Sequence, residues 1–351
     1  MRWIVTVILL LLLGGLGFVG YKLYPYYRLY ELKDTRVLKL KSNEKKAIFI
    51  PIGAKLKQVT ELLNHNVGLK NPEDFSFFAN AKHYEGRRIV PGKYRVSGAM
   101  TYNKLVNHLR AGNGRLSVKV SFHYLKDLKE LAGKVSAQIY ADGKRLYKML
   151  SDPKVQEKYG FDKKTFKLMF LPDTYRFNWA CDARCFIERM AKEYRKFWRG
   201  KNGRKAKKLG LSHLQVATLA SLVQAEQSVK PDEWPKIAGL YINRLKRDMK
   251  LEADPTVKFA LGQPGLRRIL FKHLKVDSPY NTYKYKGLPP GPLNWPEKRA
   301  ILATLNYAKH DYIYMCAKPE YSGYHNFSKT AKQHQRYAKM YHRWLKKEGI
   351  R

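Results

Sequence analysis

Glu226 is the residue whose type and position could do chemistry. With Val216, Leu219, Leu222 and Val223 it falls on one face of a helical pattern, and the rest of that face is apolar. A carboxyl at the end of such a stripe is partly desolvated. Desolvation disfavours the ionised form and raises the pKa, which gives the protonated state that a general acid needs near neutrality. Periodicity alone does not distinguish this from a glutamate marking an exposed helix end. Ser212 followed three residues later by Gln215 is a capping-box signature, so a helix is predicted to start at His213. Gln224 lies on another face, with Ala217, Ala220 and Ser221, and reads as part of a close helix contact.

Further polar groups follow. The next helix is predicted after Pro231, through Ile237, Leu240, Tyr241 and Leu245, with Asn243 and Arg244 near its end. Asp254 stands before Pro255 and Thr256, and a residue before proline is pushed away from helical geometry, so a turn is predicted there. Tyr280, Asn281, Thr282 and Tyr283 precede the run from Gly287 through Pro289 to Pro292, which is too rich in proline to lie inside a helix or sheet. Rigid loops bearing amide, hydroxyl and phenol groups suit sugar recognition by stacking and hydrogen bonding. The ten histidines show no H-E-x-x-H spacing, and Cys181, Cys185 and Cys316 show no paired C-x-x-C. No metal and no cofactor are expected. The cysteines leave room for one bridge in an oxidising compartment.

These groups need elements to hold them, and 351 residues suffice for two or three compact units. The formal charge of +41 predicts a polyanionic partner: nucleic acid, anionic lipid or an anionic wall polymer. Trp3 to Gly20 is an almost uninterrupted apolar run of a length that crosses a bilayer as one helix. Tyr21, Tyr24, Tyr26, Tyr27 and Tyr30 then cluster where an interfacial belt would lie. The run lacks the small-residue cleavage pattern of a secretory signal. Residues 1–20 are therefore expected to form a transmembrane anchor and residues 21–46 a basic stalk. Basic residues stand on both sides of the run and do not set its orientation.

Residues 47–114 read as a small α+β module. Extended segments are expected at Ala47 to Pro51 and Pro91 to Val96, and helical stripes at Val59 to Leu63, Phe75 to Phe78 and Tyr102 to Leu109. Residues 115–210 form a middle region. It is extended at Leu116 to Phe122 and Phe170 to Phe177, helical at Leu125 to Ile139, Leu146 to Leu150 and Ala183 to Trp198, and a basic linker from Gly200 to Leu209. Residues 211–351 carry the densest chemistry. The expected fold class is α+β, in two folded parts behind the anchor.

The order of these segments says more than any one of them. After the apolar run come Pro91-Gly92-Lys93-Tyr94, Leu171-Pro172-Asp173-Thr174-Tyr175, Ala220 to Glu226 and Asn243-Arg244-Leu245. Then follow Asp254-Pro255-Thr256-Val257, Tyr280 to Tyr283, the proline loop, and His325 with Phe327. In this order the chain resembles, over nearly its whole length, the MltG (YceG-like) family of endolytic murein transglycosylases. The resemblance implies a lytic transglycosylase with Glu226 as the catalytic residue. Such an enzyme cuts the MurNAc–GlcNAc bond of peptidoglycan glycan strands, leaves 1,6-anhydro-MurNAc ends and limits nascent strand length.

It also implies a single-pass protein of the cytoplasmic (inner) membrane with its body on the outer, periplasmic side. The module after the stalk would be LysM-like, the catalytic domain a mixed α+β core over residues 211–351, and peptidoglycan synthases partners. Candidates for binding substrate are Ser221, Asn243, Asp254, Thr256, Tyr280, Asn281, Thr282, Pro289 and His325. Asp254 and Ser221 could face the substrate or only support the fold, and a residue like His325 is more often structural. Relatives usually carry an acidic residue two positions before the catalytic glutamate and threonine just after it, where this chain has Gln224 and Gln227. Two other classes are a non-catalytic peptidoglycan-binding scaffold and a tethered nucleic-acid binder. No RNA-recognition or zinc-finger pattern supports the latter, so no nucleic-acid partner is expected.

Overall fold

The computed structural model describes residues 2–266 and 268–349, except the side chains of residues 2 and 4–18. Its elements fall into two compact units. The first comprises Met1–Val120 with the short stretches Gln138–Tyr140 and Arg176–Asp182. It opens on one long helix, α1 (Arg2–Lys33). Most side chains of the expected membrane anchor lie outside the described residues; among the described residues no helix is long and apolar enough to cross a membrane.

The chain then builds β1 (Lys45–Ile50), α2 (Leu56–Val67), α3 (Pro72–Ala81), β2 (Gly92–Ser97) and α4 (Tyr102–Arg110). β1 and β2 are antiparallel with Ile48 opposite Tyr94. Period-two alternation turns Ile48, Ile50, Tyr94 and Val96 inward. Val59 and Leu63 of α2, Phe75 and Phe78 of α3, and Leu105 and Leu109 of α4 close over them. Asn71 starts α3 by accepting the Glu73 and Asp74 amides, with Pro72 in the first turn. The segment read as a stalk is helical to Lys33, and beyond it Val37, Leu38 and Leu40 lie in this core. Three apolar residues among charges are too few to reveal a period.

β3 (Ser117–Phe122) carries the chain onward and pairs with β4 (Asp173–Asn178). The second unit takes in Ser121–Ala137, Ala141–Tyr175 and Ala183–Arg351. Its first helices are α5 (Leu128–Ser136), α6 (Gly143–Ser151), α7 (Pro153–Lys158), α8 (Ala183–Trp198) and α9 (Lys201–Leu209). The expected basic linker is thus a helix, α9. It buries only Ala206, so the sequence shows no apolar stripe, and Gly210 ends it in the left-handed conformation.

At the centre of this unit lies α10 (His213–Glu226), packed against α11 (Trp234–Lys246), α12 (Asp254–Ala260) and α13 (Lys298–Leu305). The Ser212 hydroxyl and Gln215 amide close the predicted capping box. Every residue from Val216 to Val223 is buried, so α10 is enclosed on all sides and not along one stripe. In α11, Gly239 permits a close backbone approach, since a Cβ there would meet the Ala308 carbonyl oxygen at 2.3 Å. The turn predicted at Asp254 is the first turn of α12, where Pro255 lacks an N–H that would go unbonded anyway. A hairpin of β5 (Tyr314–Ala317) and β6 (His325–Ser328) and the helix α14 (Ala331–Lys347) complete the fold. Cys181 and Cys185 are disulfide-bonded and Cys316 is free.

Candidate active site

Glu226 is the last residue of α10 and faces a cleft of about 430 Å³, which Tyr241, Arg244, Glu252, Asp254, Tyr283 and His334 help to line. Its Oε2 is enclosed and has no hydrogen-bond partner. Burial, reinforced by the charge of Asp254, pushes the carboxyl up to about 7, against smaller opposing effects of His325, Tyr241 and Lys258. The enclosed Tyr241 phenol is the polar neighbour of this carboxyl, close enough to act on it though outside strict hydrogen-bond geometry, and burial and then the charge of Glu226 hold it well above the ordinary tyrosine range.

Asp254 is presented by a hydroxyl pair. Thr256 Oγ1 donates to the Ala253 carbonyl at 2.6 Å, Thr282 Oγ1 accepts from the Ala253 amide at 3.0 Å, and the two hydroxyls meet at 2.9 Å. The Tyr283 phenol donates to Asp254 Oδ1 at 2.6 Å. Arg244 is buried and braces the opposite wall. Its Nε donates to the Ile313 carbonyl at 2.6 Å, and its Nη1 donates to the Lys250 and Leu251 carbonyls and to Glu252 Oε2.

The sequence candidates therefore separate. Glu226 and Asp254 reach the cleft. Ser221 Oγ donates to the Thr218 carbonyl and accepts from the Leu293 amide, tying the proline loop to α10. The Asn243 side chain donates to the His310 and Tyr312 carbonyls. Asn281 donates to the Leu274 and Val276 carbonyls and accepts from the Tyr283 amide. Thr256 and Thr282 are buried, as is Pro289. Tyr280 is half-buried, its ring 4.6 Å from that of Phe259. His325 Nδ1 is bonded to Glu233 Oε2 at 2.8 Å. Tyr241, Arg244, Glu252 and Tyr283 line the cleft but were not singled out from sequence. For Tyr283 the signal was at hand, as the fourth residue of a motif whose first three were chosen.

The two glutamines near Glu226 have clear partners. Gln224 Oε1 accepts from the Glu297 amide at 2.8 Å, at the start of α13. Gln227 is buried; its Oε1 accepts from the Val229 and Lys230 amides, and its Nε2 donates to Glu233 Oε2 and to the Gly323 carbonyl. Among the described residues no group of three or more His, Cys, Asp or Glu is placed to hold a metal ion.

Fold and cleft together define an α+β protein with a carboxyl that burial raises to about 7 at the edge of a cleft. The chain belongs to the YceG-like family, whose profile matches residues 48–340. It is 29% identical over 309 residues to the endolytic murein transglycosylase of Bacillus subtilis, a match covering 84% of each chain. It is 38% identical over 107 residues to the endolytic murein transglycosylase of Streptococcus pneumoniae, covering 29% of this chain and 19% of that one. Among solved structures it is similar to a YceG-like protein from Listeria monocytogenes, with 27% identity, a TM-score of 0.49, and coverage of 84% of this chain and 99% of that one.

Proposed function

We propose that this chain is an endolytic murein transglycosylase in which Glu226 both gives and takes the proton. The observation that carries this reading is the enclosed, unpartnered Glu226 Oε2 at the cleft, with its carboxyl raised to about 7. A group so placed begins the cycle protonated and is ready to ionise. It gives its proton to the glycosidic oxygen between MurNAc and GlcNAc as the bond to the anomeric carbon breaks. The substrate's acetamido group holds the positive charge left on that carbon. The Glu226 carboxylate then removes the proton from the muramyl C6 hydroxyl as that oxygen bonds to the anomeric carbon. Glu226 ends protonated, the product carries a 1,6-anhydro end, and no water is consumed.

In this reading Asp254 and Tyr283 contact the sugar, while Thr256 and Thr282 present Asp254. Ser221, Asn243, Asn281 and Pro289 shape the loops, Tyr280 offers a ring at their edge, and His325 positions the far wall through Glu233. Residues 1–20 anchor the protein in the cytoplasmic membrane with its body on the outer side, an oxidising setting that suits the bonded Cys181 and Cys185. Residues 47–114 serve as a LysM-like module, the basic surface meets an anionic wall or membrane, and the cuts limit strand length beside peptidoglycan synthases.

A second reading has one specific motive: Asp254 faces the same cleft as Glu226, and a pair of carboxyls is what a glycoside hydrolase uses. Mass spectrometry of the products from purified glycan strands decides between them. Transglycosylation gives anhydro ends, lighter by one water than the reducing ends of hydrolysis, and the Glu226→Gln protein gives neither. Reducing ends alone would establish the hydrolase, and binding without any cut would leave a scaffold.

A further inference from the structure

We propose that a second cavity, next to the catalytic cleft, is the subsite for the anionic peptide that a muramic residue carries; this rests on the substrate reading above. The cavity holds about 660 Å³ and shares two lining residues, Asp254 and Tyr283, with the cleft that contains Glu226. A sugar held at those two residues lies at the mouth of both cavities. The far wall is the loop bearing Arg268, Leu270, Phe271 and Lys272.

Three features of this loop fit a short acidic peptide. Arg268 and Lys272 are exposed, and among the described residues neither forms an ion pair. The nearby acid in sequence, Asp277, is already bonded to Lys284 Nζ at 2.7 Å and to the Tyr285 phenol at 2.5 Å. Phe271 is 89% exposed and Leu270 44%, which offers apolar contact to the methyl groups of alanine residues. The base of the loop is fixed: Asn281 Nδ2 donates to the Leu274 and Val276 carbonyls at 2.8 and 2.9 Å, and the Leu270 amide donates to His273 Nδ1. A muramic residue bears a lactyl ether joined to a peptide with free carboxylates, which suits two unpaired cations beside an apolar edge. A strand stripped of peptides leaves this cavity empty.

The test measures binding of full-length Glu226→Gln protein to glycan strands that keep their peptides and to strands stripped by an amidase. Peptide-bearing strands are expected to bind about tenfold more tightly, the scale of two exposed charged contacts. Adding Arg268→Ala with Lys272→Ala abolishes the preference and leaves binding to stripped strands unchanged. Adding Lys207→Ala with Lys208→Ala, two exposed cations on α9, keeps it and so excludes a general effect of charge. Equal affinity for the two strand forms, or a preference that survives the Arg268 and Lys272 changes, overturns the proposal. So does a loss that is equal for both forms and confined to samples with anionic vesicles, which would make the loop a lipid contact. Cleavage by the unsubstituted protein is scored separately: a binding preference without any cut upholds the subsite and defeats the transglycosylase.

Discussion

Two glutamates flank one turn of this protein and have opposite surroundings. Glu226 ends α10 with an enclosed oxygen that makes no hydrogen bond of good geometry, Tyr241 being its one near phenol, and burial raises its carboxyl to about 7. Glu233 is buried too, at 7% exposure, and burial alone would raise it. It instead accepts the His325 amide at 3.0 Å, His325 Nδ1 at 2.8 Å and Gln227 Nε2 at 2.9 Å, and these bonds hold it below its ordinary range. Burial pushes both carboxyls upward, and at Glu233 the three donors together outweigh it. Gln227 takes part in that division: it lies next to Glu226 in sequence yet donates to Glu233.

The strongest way to break the contrast is to remove the unsatisfied member. Glu226→Gln is expected to lower kcat by about 10²–10⁴, the usual contribution of a general acid–base group, with the fold intact by circular dichroism. Full activity in that variant would move the acid elsewhere.

The second effect is on stability. Because Glu226 has a folded pKa near 7 against an ordinary 4.5, the folded state holds the proton more tightly. Stability therefore falls as pH rises from about 4.5 to about 7 and stays lower above. Urea unfolding of the native protein and of Glu226→Gln at pH 5 and pH 8 should show the variant gaining roughly 2.5 kcal/mol between the two conditions. A parallel pH response would mean that solvent reaches the carboxyl.

Glu233 carries the opposite sign. Its lowered pKa means that its contribution is present above about pH 4.5 and is lost as pH falls below that value. Replacing it with alanine orphans the donors of His325 and Gln227 and should cost about 2–3 kcal/mol in urea unfolding at pH 7. The smallest change is expected for Gln224→Ala, about 1 kcal/mol from losing the bond to the Glu297 amide at the start of α13, with turnover within a few-fold of normal. A collapse of activity there would give Gln224 a part in the chemistry.

Much of this was readable in the chain. The capping box set the start of α10, the extended segments at Ala47 and Pro91 fell on β1 and β2, though Ile48 and Ile50 and not Ala47 and Phe49 face the core, and the apolar run before Glu226 marked its carboxyl as the one to watch. The reason was partly wrong, since α10 is buried all round and Glu226 is desolvated by its place at the helix end under a cleft. The motif from Tyr280 to Tyr283 is visible in the sequence, but its spacing does not say which way each residue faces. Asn281 and Thr282 are taken up by backbone and hydroxyl partners, and Tyr283 reaches Asp254.

What the sequence alone determined is what short-range pattern encodes: the helix that ends in Glu226, the small α+β module, and the order of motifs that marks the family. Only the tertiary structure decided which carboxyl is raised by burial and which is held down by donors. The groups that saturate Glu233 include His325, 92 residues further along the chain, and those that present Asp254 include Thr282. A hydrogen bond requires its atoms within about 3 Å, and no local periodicity specifies which distant loop will supply that donor.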